Sequence, residues 1–181
     1  MWSLQNSIFT CERNHEGENI IHYLCRNGGV IDLLTFRNAI NDENKYLLSE
    51  FNRDGKQCMH IVVSLDKVDP INKLTLLMKW GADINSKDRK DGNTALHIAV
   101  LTNNYEVAKW LCQQPGVDKE ILNFAHKTPY QVACDRANIR MMDLLRKNGA
   151  RCDVPLKKSA AYRRASHGHG VKFIRMQESA H

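Results

Sequence analysis

The chain has 181 residues, of which 43% are apolar and 25% charged, with a formal net charge of +6. That composition suits one packed domain with a tail and excludes a disordered chain. No run of about 18 consecutive apolar residues occurs, so no transmembrane helix and no membrane role is expected.

The N-terminus, MWSLQNSIFTCERNHEGEN, lacks a basic stretch followed by a long apolar one, and it does not read as a signal peptide. Residues 1–16 are expected to be an N-terminal cap or a mobile segment. Next comes GENIIHYLC at 17–25, with His22, and then Gly28-Gly29 ahead of a second helix. A turn at 52–56 leads into DGKQCMHIVV at 54–63, with His60, and a following helix ends at WGADIN, 80–85. The Asp/Asn/Gly-rich stretch 85–93 is another turn. It leads into DGNTALHIAV at 91–100, with His97, and then a helix near 105–113 that carries Val107, Ala108, Trp110 and Leu111. The last such string is AHKTPYQVAC at 125–134, followed by a helix with Met141, Met142, Leu144 and Leu145 and by NGARCD at 148–153.

These strings repeat. His60, His97 and Gln131 are separated by 37 and 34 residues, and His22 lies 38 residues before His60. Gly81 and Gly149 are 68 residues apart, with a degenerate PGVD at 115–118 between them. Leu96, Ala99 and Val100 fall on one helical stripe, Thr94 is placed to cap that helix, and small Ala99 and Ala133 allow close helix approach. Gly81 and Gly149 stand where a helix must stop in a left-handed conformation. Each helix pair is too small to bury its apolar face, and stacking several makes one core. From His60 to Gly81 is 21 residues, against 18 from Gln131 to Gly149. The three extra residues are expected between the helices of the second repeat, in Asp66–Pro70.

The strings resemble the ankyrin repeat, a period of about 33 built on GxTPLHxAA and a later GAD. Asp91, Gly92, Thr94, Leu96, His97 and Ala99 match it in the third copy, and Thr128, Pro129, Ala133, Gly149 and Ala150 in the fourth. The resemblance implies an all-α ankyrin-repeat solenoid of about four stacked helix-turn-helix repeats, the first degenerate. It covers 17–153, as repeats of about 17–49, 50–87, 88–122 and 123–153, followed by a basic C-terminal tail, 154–181. In such repeats the histidine position, here His22, His60 and His97, hydrogen-bonds the turns of the adjacent repeat.

Little points to chemistry. The six cysteines form no CxxC pair and read as reduced packing or surface residues, with no metal or cofactor site. No GxSxG, Walker A or HExxH motif occurs, Cys58 occupies the proline position of the repeat rather than pairing with His60, and no enzyme is expected. HGH at 167–169 reads as filler in a small-residue tail. That tail holds six basic residues against Glu178, so it carries +5 of the net charge. KKSAAYRR at 157–164 reads either as a nuclear-entry or acid-binding segment or as a solubilising tail. Aromatic interleaving is thin, and no sequence-specific nucleic-acid binding is expected.

DGNTALHIAVLTNNYEVAKWLCQQPGVD with LNFAHKTPYQVA is similar to the ankyrin repeats of the IκB inhibitors of NF-κB/Rel transcription factors. Residues 1–16 hold no DSGxxS phosphorylation motif, and 154–181 are basic where a cytosolic IκB is acidic. A short IκB-like chain without those regulatory segments resembles the viral ankyrin proteins of parasitoid-wasp polydnaviruses. The resemblance implies an inhibitor that sequesters host NF-κB/Rel dimers, blocks their DNA binding and suppresses the host immune response, in host cytoplasm or nucleus. A generic ankyrin adaptor for another host signalling protein is the alternative, and a homodimer through an incomplete terminal repeat is open. Transferred by position, the expected partner contacts are the turn tips Asn52, Arg53, Asp54, Lys56, Lys87, Asp88, Arg89, Lys90, Phe124, His126 and Lys127. The helix ends Ser64, Leu101, Thr102, Asn103, Asp135 and Arg136 join them.

Overall fold

The structure is a computed structural model and describes residues 13–36, 40, 44–65 and 69–152. Its helices come in pairs: α1 (Ile20–Asn27) and α2 (Val30–Thr35), α3 (Cys58–Leu65) and α4 (Pro70–Lys79), α5 (Ala95–Leu101) and α6 (Tyr105–Gln113), α7 (Pro129–Asp135) and α8 (Ile139–Lys147). The odd-numbered helices pack in a row, α1 on α3 on α5 on α7, and the even-numbered ones form a second row behind them. This is the ankyrin solenoid. The first pair is the irregular one: α2 has only six residues, and a 3-10 turn at Lys45–Leu48 precedes the second repeat.

The TxxH string is a reciprocal helix cap. Thr94 Oγ1 accepts from the His97 backbone N–H at 3.4 Å, and the Thr94 N–H donates back to His97 Nδ1 at 3.2 Å. Two of the orphan donors of the helix start are thereby satisfied, as in a capping box with histidine in place of glutamate. Asn19 with His22 and Thr128 with Gln131 make the same box, while Asn104 and Asn138 cap the second helices of their pairs. Gly81 and Gly149 end α4 and α8 at φ +100° and +86°. There the Ala82 N–H reaches Leu77 O at 2.9 Å and the Ala150 N–H reaches Leu145 O at 3.0 Å, the closing bonds of a left-handed helix stop.

The core is one layer between the two rows. Ile21, Met59 and Leu96 lie at equivalent inner-helix positions, and Leu77, Leu111 and Leu145 at equivalent outer ones, all fully enclosed. Ala99 and Ala133 are also fully buried. Lys73 breaks the apolar pattern of the outer row. It occupies the position of Val107 and Met141, only 4% exposed, and its Nζ donates to Cys25 O at 3.3 Å at the end of α1. A cation there faces the negative end of a helix.

The stretch expected to hold the three extra residues of the second repeat, Asp66–Pro70, falls between the end of α3 at Leu65 and the start of α4 at Pro70, and its residues 66–68 lie outside the described residues. Residues 13–16, expected to be part of a terminal cap or mobile segment, form a turn that continues through Glu18; residues 1–12 lie outside the described residues. The tail from 153 onward, with KKSAAYRR and HGH, lies outside them as well.

Candidate partner-binding surface

Each inner helix is preceded by a tight finger, and the four fingers are built alike. Asn14, Asn52, Asp88 and Asn123 stand at their bases. Asn14 Oδ1 accepts from the Glu18 N–H, Asn52 Oδ1 from Lys56, and Asn123 Oδ1 from Lys127, at 2.9 to 3.1 Å. Asp88 Oδ1 accepts from the Asp91 N–H at 2.7 Å. Such side-chain-to-backbone bonds hold a turn in place of a backbone ladder. Asn52 and Asp88 are therefore buried, 6% and 5% exposed. Both were expected among the partner contacts; in the free chain their Oδ1 atoms are used inside the finger.

The residue after each base links one finger to the one before. The Arg53 N–H donates to Glu16 O, the Arg89 N–H to Gly55 O and the Phe124 N–H to Asp91 O, each at 2.9 Å. The side chains of the same three residues lie over the glycines of the preceding finger, Gly17, Gly55 and Gly92. Those glycines have φ of +68° to +71°, where a side chain is disfavoured, and the neighbouring residue leaves no room for one. The fourth finger has His126 at its glycine position, with φ +55°.

Behind the fingers, histidines tie each repeat to the next. With Nδ1 accepting from a cap N–H, Nε2 carries the proton and donates: His22 to Glu50 O at 3.1 Å, His60 to Ser86 O at 3.0 Å and His97 to Lys127 O at 2.9 Å. Burial pushes all three below the ordinary histidine value of 6.5, His97 to about 4. These are neutral struts. The Cys58 thiol donates to Leu48 O at 3.3 Å, and burial pushes it up to about 12, which keeps it protonated near neutral pH. Among the described residues no group of three His, Cys, Asp or Glu could hold a metal ion, and no helix is long and apolar enough to cross a membrane.

The remaining expected contacts separate by what they touch. Arg53, Asp54, Lys87, Arg89, Lys90, Phe124 and His126 are exposed along the fingers. Lys56 Nζ donates to Ser64 Oγ at 3.3 Å, and Lys127 pairs with Asp135 at the same two repeat positions, eight residues apart. The first repeat reverses the polarity of that pair: Glu18 accepts from Arg26 at 2.6 Å. Arg136 donates to Leu101 O at 3.0 Å, Asn138 Nδ2 donates to Asn103 Oδ1 at 2.7 Å, and Thr102 Oγ1 donates back to Ile98 O. The helix ends therefore already engage their own fold, while the finger tips are left to solvent. The structure also adds what the sequence reading missed, the finger of Arg13, His15 and Glu16. Arg13 binds Phe51 O at 2.8 Å and Glu50 at 2.7 Å. The signal was present in Asn14-x-x-Gly17, which matches Asn52-x-x-Gly55.

A stack of capped helix pairs with a continuous row of fingers defines an ankyrin-repeat protein, a scaffold that works by its surface. The family model described as ankyrin repeats in three copies matches residues 60–157. The chain is 88% identical over 180 residues to I-Kappa-B like protein C2 of Microplitis demolitor bracovirus (isolate Webb), covering 99% of each. It is 54% identical over 139 residues to I-Kappa-B like protein F2 of the same virus, which is 77% of this chain and 83% of that one. The ankyrin repeat domain of Bcl-3, whose structure describes it as a unique member of the IκB protein family, superimposes with a TM-score of 0.71 at 23% identity. That match covers 85% of this chain and 69% of the other. This chain belongs to the IκB-like ankyrin-repeat proteins.

Proposed function

We propose that the protein is an IκB-like inhibitor that sequesters Rel/NF-κB dimers of an infected host, keeps them from DNA and so suppresses immune transcription. The observation that carries the reading is the likeness to bracovirus IκB-like proteins, which spans 99% of the chain for I-Kappa-B like protein C2. The geometry supports it. The fingers are joined to one another by backbone bonds, and their exposed side chains form one surface along the stack. A rigid surface loses little conformational entropy on binding, which favours tight association with a large partner. The chemistry is stoichiometric: a complex that stays formed withdraws Rel by mass action. Action in the host cytoplasm or nucleus is part of the proposal.

The test is a pull-down of insect Rel homology domains by the full chain. Saturable one-to-one capture of a Rel dimer supports the inhibitor. A folded protein that captures no Rel dimer overturns it and leaves an ankyrin adaptor for another partner.

A further inference from the structure

One residue per finger, the one after the base, forms a row: His15, Arg53, Arg89 and Phe124. Its members are set by the fold rather than by chance exposure. Each of the last three has its backbone N–H bonded to the preceding finger and its stem laid over that finger's glycine. The Arg89 guanidinium is further fixed 4.1 Å above the ring of Phe51. Neither guanidinium has a carboxylate partner among the described residues, although acids lie nearby in the same fingers. Across residues 52–56 and 87–93, four exposed cations stand against two exposed carboxylates. Phe124, 58% exposed, closes the row.

We infer that this row is a docking ridge for an extended acidic segment of the protein partner, with carboxylates on Arg53 and Arg89 and an apolar side chain against Phe124. A guanidinium is a planar fork suited to a carboxylate, and one held in place loses less freedom when it binds. An aromatic beside two arginines is the composition of an interface centre. The inference rests on reading the fingers as the partner-facing surface, and it names the chemistry they select.

The experiment uses the full chain, a fluorescein-labelled glutamate-rich peptide with one leucine, and a glutamine-for-glutamate control. Fluorescence anisotropy is expected to show saturable binding of the acidic peptide alone. Arg53→Glu/Arg89→Glu should weaken it by roughly a hundredfold and Arg53→Gln/Arg89→Gln by roughly tenfold. Lys147→Glu on the outer row should leave it unchanged. Equal binding of the control, indifference to the reversals, or equal binding of a DNA oligonucleotide lost in the same variants would overturn the ridge. Rel capture read in parallel separates the two readings. Capture that ignores both peptide and reversals sinks the ridge and leaves the inhibitor standing. Peptide binding without Rel capture does the opposite.

Discussion

The ring of Phe124 lies over Gly92 so closely that a β-carbon on the glycine would stand 2.5 Å from Phe124 Cδ1. The same relation joins Arg53 to Gly17 and Arg89 to Gly55. It makes each finger glycine a seat for the next finger as well as a turn residue. Gly92→Ala combines a left-handed backbone with a clash and should cost about 2–4 kcal/mol in urea unfolding. Phe124→Ala removes the clash alone. The double variant should be less unstable than the two single costs predict, by about 1 kcal/mol. Strict additivity would mean that the ring does not rest on the glycine.

His126 tests the same rule from the other side. It holds the glycine position of the last described finger, at φ +55°, and is exposed. Gly tolerates that conformation and other residues do so at a cost, so His126→Gly should raise stability by about 1 kcal/mol. An unchanged or lower denaturation midpoint contradicts this.

The three buried histidines predict how stability responds to acid. Each has a folded value below 6.5, so the native state stays neutral where the unfolded chain takes up protons. The unfolded state binds more protons through that window, and stability falls with falling pH. The loss begins as pH drops below about 6.5 and, for His97, is complete near pH 4. His97 accounts for about 3 kcal/mol of it. His97→Gln should flatten the profile, because Gln131 already fills the equivalent cap with its Oε1 accepting from the Thr128 N–H at 3.1 Å. Urea midpoints from pH 7.5 to pH 4 on both proteins check this; parallel curves would contradict it.

Asn52 separates architecture from contact. Asn52→Ala removes the acceptor of the Lys56 N–H in a buried finger base and should cost about 1–2 kcal/mol of stability. Partner affinity, measured where the variant is folded, should be unchanged. A large loss of affinity at full folding would return Asn52 to the contact surface.

The repeat was legible because its signals are local and periodic. The histidine spacing, Thr94 and Thr128 as caps, and Gly81 and Gly149 as stops each follow from backbone hydrogen bonding within a few residues. The first finger was not read, because Asn14-x-x-Gly17 leads into a helix whose cap is Asn19 rather than threonine. The burial of Asn52 and Asp88 was not legible for a related reason: a polar residue in a turn suggests solvent, but the turn is made by folding that side chain inward. Lys73 shows the limit of composition. Its long apolar stem fills a core position and its amine finds the end of α1, a pairing that only the fold reveals. The row of Arg53, Arg89 and Phe124 also needed the structure, since one extra residue in the third finger hides its register.

The most direct test of the central claim is a κB-site gel shift with an insect Rel dimer, titrated with the full chain. Rel–DNA complex should disappear in proportion to added protein, with a stoichiometric end point and no DNA bound by the protein alone. A Rel–DNA complex that persists unchanged at excess protein, with the protein folded by circular dichroism, would contradict it.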